Sequence, residues 1–132
     1  MSGPVLAVDP GEARIGLAIS DPTQTIARPL EVLRHTSRAA DAQAIIERAS
    51  RHGAGAIVVG LALDSEGEMG AQARRAARLV EALRELTPLT VETWDESGST
   101  KAARKGRRDD PLLDARAAAV ILQEYLDARR PT

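Results

Sequence analysis

Residues Val5, Leu6, Ala7 and Val8 form an uninterrupted apolar run that ends on a carboxylate, Asp9, just before Pro10 and Gly11. A strand with one wet face alternates polar and apolar residues. A run without alternation suits a strand covered on both faces, so the sheet that holds it needs a layer above and a layer below. The carboxylate that closes the run needs partners, because an isolated buried carboxylate protonates rather than staying ionised.

The rest of the chain supplies those layers. A turn at residues 10–13 leads to Ile15–Ser20, and a third short strand is expected over Pro29–Leu33 after Asp21-Pro22, giving an antiparallel meander. Helical spacing of alanine and isoleucine predicts a helix over Ser37–His52, with Ser37 as cap and Gly53 as stop. A short apolar strand follows at Ala56–Gly60, then a helix over Glu68–Leu86 rich in Ala, Arg, Glu and Leu, then a more polar strand at Leu89–Trp94 suited to an edge. A short helix is expected over residues 99–106, and Asp110-Pro111 opens a last helix that runs to about Ala128. The fold class is therefore α/β: a five-stranded mixed sheet, a three-strand meander followed by alternating helix and strand, flanked by helices, with the first strand central. The 132 residues make one domain, spanning 1–132.

The chain has no cysteine, which removes thiolate metal sites and thiol nucleophiles. His35 and His52 lack ligand spacing, so a metal would have to be bound by oxygen. The N-terminus has no basic leader and no window reaches the length of a membrane span, which points to a soluble, cytoplasmic protein with no membrane partner. The net charge is only -1, yet residues 101–108, KAARKGRR, carry five cations and no acid. Lys101, Arg104, Lys105, Arg107 and Arg108 are candidate phosphate contacts, set against the plainer reading of a solvated basic surface.

Three acidic positions stand out. Counting from Asp114 along the last helix, Ala117, Ala118, Ile121, Leu122 and Tyr125 form an apolar stripe of which Asp114 is the acidic member. The plainer reading is a surface aspartate complementing the helix dipole. The pair Asp95-Glu96 ends the fifth strand; in open sheets ligands gather beyond the carboxyl ends of the strands, where Asp9 also lies. Converging carboxylates repel one another unless a divalent cation sits between them, and hard oxygen ligands suit magnesium or manganese.

The segment VDPGEARIGLAISD resembles the opening motif of the YqgF family, a branch of the RNase H-like superfamily described as Holliday junction resolvases or pre-16S rRNA nucleases. The resemblance continues through IVVGLALDSEGE, WDESGST and LLDARAAAVILQEYLD, in order and over almost the entire chain. It implies that Asp9, Glu96 and Asp114 are the catalytic, metal-binding carboxylates, and it selects Glu96 over Asp95. Gly11, Gly16 and Arg14 match the first motif. The chain departs from the family pattern at Ala62, where proline is usual, at Ser97 and Gly98, which replace an arginine and an apolar residue, and in a shorter connection from Glu96 to Asp114.

The expected activity is metal-dependent hydrolysis of phosphodiester bonds in structured nucleic acid, DNA or RNA. Two Mg²⁺ or Mn²⁺ ions would sit roughly 4 Å apart on the three acids. Arg14 and the basic cluster would grip backbone phosphates without reading bases. With one Trp, one Tyr and no Phe, base stacking is a minor mode of binding, and Trp94 is expected to pack rather than stack on a base. A homodimer would match the two-fold symmetry of a four-way junction. Two alternatives are an ATP-binding phosphotransferase lobe, since Asp-x-Gly also opens actin-like and sugar-kinase folds, and a non-catalytic nucleic-acid-binding module on the same scaffold.

Overall fold

Strands β1 (Val5–Pro10), β2 (Arg14–Ser20) and β3 (Ala27–Arg34) form the antiparallel meander, and β4 (Ala56–Leu61) and β5 (Thr90–Asp95) extend it in parallel. The sheet order β3-β2-β1-β4-β5 puts the apolar first strand in the centre and β5 at an edge, as the sequence predicts. These elements belong to a computed structural model that describes residues 2–64, 66–96 and 109–130. The predicted short helix at 99–106 and the basic cluster at 101–108 lie outside the described residues.

Every residue of β1 is buried. On one face Leu6, Val8, Leu17, Ile57 and Val59 pack with Ile45 of α1 (Arg38–Arg51) and with Leu79 and Leu83 of α2 (Ala71–Leu86). On the other face Val5, Ala7, Ala18 and Val58 pack with Ala118, Leu122 and Tyr125 of α3 (Leu113–Arg129). The unalternating run at the N-terminus therefore has the two covers it requires. Each fully buried Leu or Ile contributes about 2 kcal/mol relative to remaining exposed.

Helix α1 begins as predicted, with Ser37 as N-cap accepting the Ala40 N–H at 3.1 Å, and Gly53 takes a positive φ of 66° beyond its end. Strand β3 is longer than the predicted 29–33. It continues to Arg34 along β2 and tolerates Pro29, which lacks a donor, because it is an edge strand with an irregularity opposite Leu17 and Ala18. Arg48 of α1 ties β3 to the helices with a two-pronged bridge to Glu31, at 3.0 and 2.9 Å, and this holds the Glu31 carboxyl below its usual range.

Two helix starts differ from expectation. Helix α2 begins at Ala71 rather than Glu68, because the Asp64 carboxylate accepts the N–H groups of Glu66 and Glu68 and Met69 bridges to Leu63, which together hold residues 66–69 in a loop. Helix α3 begins at Leu113 rather than Pro111. Asp110 still acts at its entrance, accepting the Leu112 N–H at 2.9 Å and Arg116 Nε at 2.7 Å, but one turn earlier than the helix itself.

Candidate functional site

Asp9 sits near the carboxyl end of β1 and is 2% exposed. Its cross-strand partner is Gly16 on β2. A Cβ placed on Gly16 would lie 2.0 Å from the carbonyl oxygen of Asp114, so the first turn of α3 rests directly on this strand pair. Only glycine permits that approach, and it brings two acids that are distant in the chain to the same face of the sheet. The glycine at the preceding turn serves the turn itself, since a Cβ on Gly11 would meet the Arg14 carbonyl at 2.3 Å, the same oxygen that accepts the Gly11 N–H at 2.9 Å.

Strand alternation places the third acid. Val5 and Ala7 face α3, so Asp9 does too. On β5, Trp94 packs into the α3-facing cluster and Glu92 accepts the Tyr125 hydroxyl at 2.8 Å, while Val91 lies in the opposite core. The Glu96 N–H donates to the Leu61 carbonyl at 2.8 Å, carrying the ladder one step past the end of β5. By this parity Glu96 shares the α3 face with Asp9, and Asp95, which is exposed, lies on the other. Trp94 packs edge-on against Tyr125, with ring centroids 5.8 Å apart, which is the packing role expected of it.

Asp114 combines both sequence readings. Its main chain is seated on Gly16, but its carboxylate lies at the rim, 24% exposed, and accepts Arg14 Nε at 2.8 Å. Arg14 thus neutralises an acid here, a pairing across 100 positions for which the sequence carries no signal. Among the described residues no three acidic or histidine side chains stand close enough to ligate one ion. Asp9, Glu96 and Asp114 therefore share a face and an end of the sheet without forming an assembled cage. The donor chemistry nevertheless fits a hard divalent cation, since all three donors are carboxylates. The Arg14–Asp114 pair is exposed, so separating it costs at most about 1 kcal/mol.

Sequence reasoning missed a second polar feature on the opposite face of the sheet, beside Pro10 and Gly11, where residues of α1 and α2 line a cavity. Its members come from two helices whose mutual packing cannot be read from either alone. Among the described residues no helix is long and apolar enough to cross a membrane.

Residues 3–128 match the model of the RuvX family, described as Holliday junction resolvase. A curated protein of Anaeromyxobacter sp. (strain Fw109-5) is 42% identical over 132 residues, covering 94% of this chain and 96% of its own. One from Rubrobacter xylanophilus is 41% identical over 135 residues, covering 95% and 93%. Both carry the name "Putative pre-16S rRNA nuclease". Among solved structures, RuvC of T. thermophilus in complex with a Holliday junction substrate superposes with a TM-score of 0.59 at 19% identity, over 96% of this chain and 95% of that one. That likeness identifies the architecture as an RNase H-like fold.

Proposed function

Because the chain belongs to the RuvX (YqgF) family of Holliday junction resolvases, we propose that it is a divalent-metal-dependent nuclease acting on structured nucleic acid. The substrates in view are branched DNA and the 5′ end of precursor 16S rRNA, and either goes with a cytoplasmic location. The observation that carries the reading is the seating of Asp114 on Gly16, the residue paired with Asp9, with Glu96 on the same face.

Asp9, Glu96 and Asp114 would hold Mg²⁺ or Mn²⁺, which would supply Lewis-acid chemistry for the attacking water and the departing oxygen. The chain's own residues do the rest. Burial of Asp9 in the central strand fixes one ligand rigidly, while the rim position of Asp114 leaves the other free to change partner. Arg14, 65% exposed, can exchange the Asp114 carboxylate for a backbone phosphate, which would capture substrate and free the carboxylate at once. Lys101, Arg104, Lys105, Arg107 and Arg108, in the sequence between Glu96 and Asp114, would supply further phosphate contacts. A homodimer would present two such sites to the two-fold axis of a junction.

The test is a panel of labelled single strands, duplexes, four-way junctions and rRNA precursors, each incubated with manganese, magnesium or chelator. Cleavage of a structured member that depends on metal supports the reading. Absence of cleavage across the panel in manganese, with nucleic acid still bound, would replace it with the non-catalytic binding module.

A further inference from the structure

On the sheet face away from α3, a cavity of about 450 Å³ opens between the first turns of α1 and α2. Its rim carries His35, Arg38 from α1, and Arg74, Arg75 and Arg78 from α2. Arg78 stands four positions beyond Arg74 and three beyond Arg75, so it neighbours both on the helix surface, and all three line the cavity. Arg74 donates to the Met69 carbonyl at 2.7 Å. Among the described residues Arg38, Arg75 and Arg78 form no ion pair. The acid inside the cavity, Asp41, is 6% exposed and already committed, bonded to His35 Nδ1 and accepting the Thr36 N–H at 3.1 Å. Like charges thus converge on a concave surface whose lining acid among the described residues is already paired, an arrangement that an incoming anion relieves.

The position of the cavity selects the kind of anion. Pro10 and Gly11, which line it, follow Asp9 directly, so the cavity and the carboxylates lie back to back at the same end of the central strand. Gln72 pins the first turn of α2 to this end, accepting the Ala62 N–H at 2.7 Å and donating to the Pro10 carbonyl at 3.5 Å. A polyanion crossing the end of the sheet meets both faces, whereas a lone phosphate reaches one. Apart from the imidazole of His35 the lining has no ring on which a base could stack, so it suits backbone phosphates and not bases.

We propose that this arginine-lined cavity is a second nucleic-acid contact, binding backbone phosphates of the substrate whose scissile bond lies at the carboxylates; this rests on the nuclease reading above. The test is fluorescence anisotropy of a labelled four-way DNA junction, in chelator, over a series of salt concentrations. In the variant Arg75→Gln/Arg78→Gln the affinity at low salt should fall about tenfold or more, and the slope of log affinity against log salt should shrink by about two, close to one for each phosphate no longer held. The charge-retaining Arg75→Lys/Arg78→Lys variant should keep most of that slope. Unchanged affinity and slope in the Gln variant would overturn the proposal. So would a melting temperature raised by inorganic phosphate in the parent and not in the Gln variant, with junction binding unaltered, because the cavity would then be a small-anion site. Binding is read without turnover, so failure of the parent to cleave any substrate would sink the nuclease reading and leave this measurement standing.

Discussion

The two faces of the sheet are built from different materials. The face under α1 and α2 is filled with bulky aliphatic residues, Leu6, Val8, Ile15, Leu17, Ile19, Ile57 and Leu83, all essentially inaccessible. The face under α3 uses Ala7, Gly16, Ala18 and Gly60 on the strands against Ala117 and Ala118 on the helix, and α3 comes close enough that a Cβ on Gly60 would lie 2.6 Å from Ile121 Cδ1. Bulk on one side stabilises the sheet. Small residues on the other let a helix backbone touch the strands and seat the first turn of α3 on Gly16, the strand partner of Asp9. The α3 face also buries Val5, Val58, Leu122 and Leu126, but under the proposed function substitutions at Asp9 and in the opposite core should give different kinds of loss.

The largest separation is expected at Asp9. Asp9→Asn keeps the shape of the side chain, so the melting temperature should stay near that of the parent while cleavage falls on the order of a thousandfold, the scale of removing a principal electrostatic stabiliser. A well-folded Asn variant that cleaves at the parental rate would remove Asp9 from the chemistry. On the opposite face, Leu83→Ala should cost about 2–5 kcal/mol in denaturant unfolding, with cleavage per folded molecule retained. Gly16→Ala should break the separation, because its Cβ collides with the Asp114 backbone: a stability loss of roughly 1–3 kcal/mol should accompany a loss of cleavage. If Gly16→Ala cleaves normally, the seating of α3 is not what places Asp114.

The smallest effect concerns Tyr125, the single tyrosine, whose hydroxyl is pushed up to about 12 from 10.0 by burial and then by its hydrogen bond to Glu92. A raised folded value means that its contribution to stability is complete below pH 10 and is lost as the pH climbs towards 12. Phenolate absorbance should titrate late in the folded protein, and Glu92→Gln should bring the midpoint down. An unshifted midpoint in that variant would leave burial as the sole cause.

The central strand is legible in the sequence because its signal is local: four apolar residues without alternation need no knowledge of their partners. The stripe from Ala117 to Tyr125 is legible for the same reason, and all of its members are buried. Helix starts escape the sequence where a side chain competes for backbone donors, as Asp64 does ahead of α2 and Asp110 ahead of α3. Propensity places Glu68 in a helix, and only the loop geometry removes it. At the site, the spacing of the sequence does not choose between Asp95 and Glu96, because the apolar residues Val91 and Trp94 fall on opposite faces of β5 and only the resemblance to the family separates the two acids. The Arg14–Asp114 pair and the gathering of Arg38 with Arg74, Arg75 and Arg78 are not legible either, because each depends on how separate elements pack.

The proposed site requires Asp9, Glu96 and Asp114 to bind a divalent cation together, with Asp114 exchanging its Arg14 partner for the ion. Titration of manganese into the protein, followed by the electron paramagnetic resonance of the free ion, tests it without reference to turnover. Stoichiometric uptake is expected of the parent, weakened at least about tenfold in each of Asp9→Asn, Glu96→Gln and Asp114→Asn, the scale on which perturbing a metal site acts. Uptake that is the same in the parent and in all three variants would contradict it.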